Sequence, residues 1–323
     1  MSPESVVAPN SSGGGPIGVA LQYNPKITGW FPFFDEALDA VEVLLDSFMG
    51  PLDGPHIVRP AARASLARLQ QRFTLVGHSN YGGDFGFSDV EQTSAARRHA
   101  PIARRIGCPW VSNHCFYSDQ SWSNVWSSPV QFSAQELDRL VPRVVKLQQI
   151  YGVPLAHENA AYYRTCPGST MPEAEFIAEL TERADSYLHL DLHNLYTNEV
   201  NHRGSGYSIA RFLDRIPLER VLVIHLAGGR WLDGLYHDYH DSLVPGPVWE
   251  LLDEVLGRAT PRAVVLEYES DELRQDEEPI VGQAAIDGVR RDLERARVAW
   301  DRAYGDGSRS STRTPQLDGS CLG

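Results

Sequence analysis

The chain reads as an α/β protein of the (β/α)8 TIM-barrel class, and three observations predict it. Apolar, β-branched-rich runs recur eight times, at 16–22, 41–47, 73–78, 109–115, 153–158, 187–192, 221–227 and 263–268. Helical patterns separate most of them, and strands alternating with helices imply parallel β-α units. Six of the runs end on a side chain that can bind metal: His78, His114, Glu158, Asp191, His225 and Glu267. A parallel barrel collects the C-terminal ends of its strands at one mouth, so these six become one cluster.

Taken in order, residues 1–15 are rich in Ser, Gly and Pro and are expected to be disordered. The first run, PIGVALQ, opens a single barrel domain spanning 16–304. VEVLLDS is the second strand, and a helix follows at 58–71. FTLVGH is the third, leading into the glycine-containing GHSNYGGDFGF, a loop that lets backbone come close to a ligand. A helix at 90–106, the fourth strand PWVSNHC and a helix at 134–151 come next. VPLAHE precedes a helix at 172–185, and YLHLDL runs into the polar stretch HNLYTNEVNH and a helix at 207–215. VLVIHLA and AVVLEY are almost wholly apolar before their functional residue, as buried parallel strands should be. Between them lies a helix at 246–258. ESDELRQDEEPI reads as an acidic exposed loop, the last helix spans 279–303, and 305–323 is a second disordered tail. An open doubly wound sheet is the alternative, but no G-x-G-x-x-G follows the first strand and no Walker A sequence exists.

Net charge of −13 argues against a nucleic-acid binder working through basic patches. Cys108, Cys115, Cys166 and Cys321 form no C-x-x-C pair and read as reduced thiols, the pattern of a cytoplasmic protein. The N-terminus carries no signal-peptide pattern, and no stretch approaches the ~18 apolar residues of a membrane helix.

Buried imidazoles and carboxylates are costly unless paired or metal-bound, and the mixture suits iron, zinc or manganese. The loops behind the strands add candidates: His193, Asn194, Asn198, Asn201 and His202 after Asp191, and Asp238, His240 and Asp241 after His225. So many donors suggest two or three ions bridged by carboxylates. His56, His99, His189 and His237 read as surface residues. Trp110, Phe116, Tyr117, Trp122, Trp126, Tyr162, Tyr163, Tyr196, Trp231 and Tyr239 are expected near the mouth, as a pocket wall or as packing. Cys115 faces the wall, and no G-x-S-x-G elbow is present.

The succession LVGHSN, SNHCFYS, HENAAYY, LDLHNLYTNEVNH, IHLAGG, DYHDSLVPGPVWELL and LEYE resembles the DUF692 family over about 16–270. Those proteins are multinuclear non-heme iron-dependent oxidases that modify ribosomally made peptides. The resemblance implies a TIM barrel of xylose-isomerase-like shape. It also implies two or three irons in mixed Fe(II)/Fe(III) states and O2 as co-substrate. His78, His114, Glu158, Asp191, Asn194, His202, His225, Asp238, His240 and Glu267 fall on the family's metal-site motifs. Glu158, Asp191 and His202 are the expected catalytic residues, and Asn159, Tyr163, Tyr196 and Trp231 the expected substrate contacts. The sequence departs from the family at Gly229, where a second His is usual, at His193 in place of Asn, and at Ala160 and Ala161 after Glu-Asn. VEVLLDSF also replaces a more polar second strand.

The implied activity is oxidation of a precursor peptide at a Cys or at another side chain such as Asp or Asn. The implied partners are that peptide and a leader-peptide-binding protein encoded nearby. A divalent-metal isomerase or hydrolase of the xylose-isomerase-like type, acting on a small molecule, is the competing reading.

Overall fold

The computed structural model describes residues 14–23, 27–48, 60–80, 85–86, 89–118 and 127–305. Apart from residues 14, 15 and 305, the two tails lie outside the described residues, as do His56, Trp122, Trp126, Cys321 and residues 81–84 and 87 of the GHSNYGGDFGF loop.

Eight parallel strands close into a barrel in sequential order. They are β1 (Gly18–Tyr23), β2 (Ala40–Leu44), β3 (Thr74–Ser79), β4 (Val111–His114), β5 (Leu155–Glu158), β6 (Tyr187–Asp191), β7 (Val221–Leu226) and β8 (Ala263–Leu266). The helices are α1 (Pro60–Gln70), α2 (Asp89–Arg105), α3 (Ala134–Tyr151), α4 (Glu173–Ala184), α5 (Leu192–Asn201), α6 (Ile209–Arg215), α7 (Gly246–Leu256) and α8 (Gln283–Tyr304). No described helix is long and apolar enough to cross a membrane.

Alternation along each strand divides the core in two, because successive side chains point to opposite faces. Val19, Leu21, Val41, Val43, Leu75, Leu155, Ile224 and Leu266 face outward and merge with the helices in the main apolar layer. Ala20, Ala40, Val76, Ala156, Val223 and Val265 face inward and form a separate cluster inside the barrel. Trp110 belongs to that inner cluster, fully buried, with the Arg262 guanidinium 5.2 Å from its ring. It precedes β4 and so closes the N-terminal end of the barrel, not the mouth.

Local signals set the boundaries. Ser133 caps α3 by accepting from the Glu136 N–H at 3.2 Å, and Gly152 ends it in the left-handed region at φ 71°. The second strand is shorter than its apolar run suggests, since Leu45–Phe48 turns into a 3-10 helix. The acidic loop before α8 is a hairpin, Glu272–Gln275 with Glu278–Val281, its turn made by Asp276 and Glu277 at φ 50° and 68°.

One helix has no counterpart in the sequence reading. The polar stretch after β6 folds as α5, started by Asp191, whose Oδ1 accepts from the Asn194 N–H at 2.6 Å. Asn194 and Asn198, one turn apart, donate from Nδ2 to the carbonyls of Asn159 and Ala160, both at 3.0 Å. These bonds offset the weak helix propensity of asparagine.

Candidate metal centre

Period-two geometry builds the centre. Two residues beyond each inward-facing Ala20, Ala40, Val76, Ser112, Ala156, His189, Val223 and Val265 stands a polar side chain at the barrel's C-terminal rim. These are Gln22, Glu42, His78, His114, Glu158, Asp191, His225 and Glu267, one for every strand. All are buried except His114, which is partly open.

Their ligand atoms fall into overlapping groups, each within 4.8 Å of one another. One group is His78, His114 and Glu158; another is Glu158, Asp191, His225 and Glu267. Glu158 belongs to both. Its Oε2 lies 3.3 Å from His114 Nε2 and 3.5 Å from His78 Nε2, while Oε1 lies 3.6 Å from His225 Nδ1. His225 Nδ1 is also 3.0 Å from Glu267 Oε2, and its Nε2 is 3.0 Å from Glu42 Oε1. A further group, His193, Asp238 and His240, sits above the ring. Asp238 Oδ1 is 2.8 Å from His193 Nδ1 and 2.9 Å from His240 Nε2.

Burial governs the charge states. It lowers His78 and holds His189 well below the ordinary imidazole value, the latter helped by the neighbouring His225 and His78. It brings His114 down to about 3. Burial also raises Glu158 well above the usual carboxylate range, against the pull of His225. Burial works against the charged forms of His225, Glu267, Asp238 and His240 as well, but their mutual attractions outweigh it. His225 and His240 are held up by Glu267, Glu42 and Asp238, and Glu267 and Asp238 are held down by the same imidazoles.

The cluster is over-supplied with electron pairs. His78 Nε2, both nitrogens of His189, Glu158 Oε2, Asp191 Oδ2 and Asn194 Oδ1 are buried without a hydrogen-bond partner among the described residues. Such atoms are expensive in a water-poor interior unless a cation satisfies them. Neutral imidazoles mixed with carboxylates fit first-row transition metals.

Outer contacts aim these donors. Gln22 Nε2 donates to Glu42 Oε1 and to Glu267 Oε1. Asp191 spends Oδ1 on the α5 cap, which leaves Oδ2 facing the ring. Asn159 clamps the Asp191 backbone, accepting from its N–H and donating to its carbonyl, both at 2.9 Å. Tyr163 Oη accepts from the Asp238 N–H at 3.0 Å.

Of the sequence-derived metal residues, the structure brings together His78, His114, Glu158, Asp191, His225 and Glu267, with Asn194 alongside and Asp238 and His240 above. It does not bring His202. That residue is the C-cap of α5, its ring lies 4.8 Å from that of Tyr162, and its Nε2 is 2.8 Å from the Tyr162 carbonyl oxygen. Both polar side-chain atoms of Asn159 are engaged by the Asp191 backbone. Tyr196 packs 5.3 Å from the Tyr236 ring, and Trp231 is half exposed on the hairpin Arg230–Leu232/Leu235–His237.

Three histidines expected on the surface are elsewhere. His189 is fully buried, inside the ring. His99 is buried between Ser79 Oγ at 3.0 Å and Asp46 Oδ1 at 3.2 Å. His237 is half-buried between the rings of Tyr163 and Tyr239. Sequence reasoning also missed Glu42 and Gln22. The signal was there: a lone Glu in the apolar run AVEVL, two residues past an inward Ala40, occupies a rim position. Gly229 is more than a lost ligand. A Cβ there would lie 2.0 Å from the His237 carbonyl oxygen and 3.1 Å from His193 Cε1, so the hairpin backbone fills that space.

Comparison with known proteins identifies the family and the fold. Residues 34–278 match the family model described as RiPP precursor modification enzyme MbnB/TglH/ChrH. A UPF0276 protein of Caulobacter vibrioides is 30% identical over 264 residues, covering 81% of this chain and 86% of the relative. One from Streptomyces avermitilis is 32% identical over 279 residues, covering 83% and 55%. Among solved structures, a D-tagatose 3-epimerase-like protein aligns with TM-score 0.55 at 17% identity over 89% of this chain and 99% of its own. Endonuclease IV from Thermus thermophilus aligns with TM-score 0.53 at 18% identity over 87% and 98%. These likenesses establish the xylose-isomerase-like barrel. The chain belongs to the DUF692-type family of RiPP precursor modification enzymes.

Proposed function

We propose that the protein is a multinuclear non-heme iron oxidase that uses O2 to modify a ribosomally made precursor peptide, at a Cys or at another side chain such as Asp or Asn. The observation that carries this reading is the sharing of Glu158 between two ligand groups, the arrangement of a carboxylate that bridges two ions. His78, His114, Asp191, His225 and Glu267 would hold those ions with it, and His193, Asp238 and His240 would hold a third. Iron bound there would supply O2 activation beside a coordinated substrate group.

The chain's own part is to position and to keep donors unprotonated. Burial holds His114 and His189 neutral, so their nitrogen lone pairs face the centre. The Asn159 clamp and the α5 cap fix Asp191, and Tyr163 fixes the loop bearing Asp238. His114 is the least buried of the eight rim residues, which favours approach of a peptide from its side. The family membership supports a precursor peptide as substrate, and a separately encoded leader-binding protein would present it.

The test is co-expression with a short precursor peptide and its neighbouring open reading frames, followed by anaerobic purification. The expected result is bound iron, and oxygen uptake accompanied by a change in peptide mass. Turnover that needs no oxygen and runs on zinc or manganese would support a divalent-metal isomerase or hydrolase instead.

A further inference from the structure

Away from the metal centre, Glu173 is a carboxyl that is 7% exposed and has no cationic partner among the described residues. It is the first residue of α4, and its Oε2 accepts from Tyr207 Oη at 3.2 Å and Tyr162 Oη at 3.3 Å. It lines a cavity of about 510 Å³ whose wall includes Phe132, Tyr162, Met171, Tyr207 and Phe212. The Tyr162 and Tyr207 rings meet edge-on, centroids 6.4 Å apart at 77°, and Phe132 lies 6.2 Å from Tyr162. The other charged groups facing this space are Glu175 of α4 and Arg211 and Arg215 of α6; His202 lies against Tyr162. Arg211 is tied to the Gly206 carbonyl, and neither guanidinium is paired with Glu173 among the described residues.

A buried carboxyl, two phenols and aromatic rings around an open volume are the parts of a cation pocket. Rings supply the attractive face and the acid supplies the counter-charge. A glutamine would make the same hydrogen bonds to the two tyrosines without the desolvation cost, so hydrogen bonding alone does not account for an acid here. The net charge of −13 draws cations toward the molecule.

We propose that this cavity binds an alkylguanidinium or alkylammonium group, with Glu173 as counter-ion and Tyr162 and Tyr207 as walls. Only Asn159–Ala161 separate Glu158 of the metal centre from Tyr162, so the cavity opens at the same end of the barrel. A basic residue of the precursor would seat here while a neighbouring residue reaches the metals. That last clause rests on the oxidase reading; the binding of the cation does not.

The test is calorimetric titration of the metal-loaded protein with n-butylguanidinium chloride, alongside the neutral n-butylurea and the anionic butyrate. Burial pushes the Glu173 carboxyl up to about 8. The cation should therefore bind with proton release below that pH, seen as a heat that depends on the buffer. Its apparent affinity should rise about tenfold per pH unit up to roughly pH 8 and then level. Glu173→Gln should weaken binding by about tenfold or more at a pH near 8.5 without lowering Tm. Tyr207→Phe, which removes one donor and keeps the wall, should move the pH midpoint upward. No saturable binding of the cation, equal binding of butylurea, affinity independent of pH, or preference for butyrate would each overturn the assignment. The titration reads neither iron nor oxygen uptake, so its failure leaves the oxidase reading standing.

Discussion

Ser112 Oγ lies 2.9 Å from His78 Nδ1 and 3.3 Å from the Gly77 carbonyl oxygen. The carbonyl only accepts, so the single hydroxyl proton goes to it. The serine oxygen then accepts from Nδ1–H, and His78 keeps its lone pair on Nε2, the nitrogen 3.5 Å from Glu158 Oε2. A neighbouring strand thus selects the tautomer that presents a ligand atom to the centre. Ser112→Ala is expected to weaken metal binding by about 10–100-fold with the fold retained, measured by competition with a chelator of known affinity. Unaltered affinity would remove Ser112 from this role.

Gly229 is held where the hairpin backbone crosses it. Gly229→Ala is expected to cost on the order of 1–3 kcal/mol, because the His237 carbonyl must move to admit a methyl group. Thermal unfolding reads the loss. Gly229→His should be worse still, and should not add a bound metal.

The Glu173 carboxyl gives stability a pH slope in the ligand-free protein. Its ordinary value is 4.5 and burial moves it to about 8 in the folded chain. Between those values the unfolded chain surrenders its proton while the folded chain keeps it, so the native state binds more protons. The contribution is complete below about 4.5 and is lost as pH rises toward 8. Urea unfolding of wild type and Glu173→Gln should diverge across that window, the variant gaining relative stability as pH rises. Parallel curves would contradict the assigned shift.

Metal removal should destabilise the whole barrel, since every strand contributes to the ring. A ligand at 100 times its Kd adds about 2.7 kcal/mol to the folded state. Chelation is therefore expected to lower Tm, and readdition of ferrous iron under argon to restore it. A Tm indifferent to chelator would separate the cluster from metal binding.

Much of this was legible in the chain. The strand runs carried the barrel, because fully buried parallel strands are nearly pure apolar sequence and stop where the rim begins. Six rim residues were legible for the same reason: His78, His114, Glu158, Asp191, His225 and Glu267 each interrupt such a run at its end. Glu42 was hidden because apolar residues continue past it into Leu44 and Leu45. His189 was hidden because it stands inside the run YLHLDL and not at its end, although i and i+2 of a strand point the same way and so place it on the face of Asp191. His202 was misplaced because DLHNLYTNEVNH looks like a loop. As a 10-residue helix, at ~1.5 Å per residue, α5 carries His202 well away from the rim where Asp191 remains.

On the oxidase reading, one carboxylate, Glu158, would be shared by two metal ions at the barrel mouth. Elemental analysis of anaerobically purified wild type, Glu158→Gln and Glu158→Ala tests it most directly. The expected result is roughly two or more iron ions per wild-type chain and a loss of at least about half in both variants, because an amide of the same shape lacks the charge to bridge and a methyl group offers no ligand atom. Wild-type protein with only traces of metal, or variants that bind as much as wild type, would contradict it.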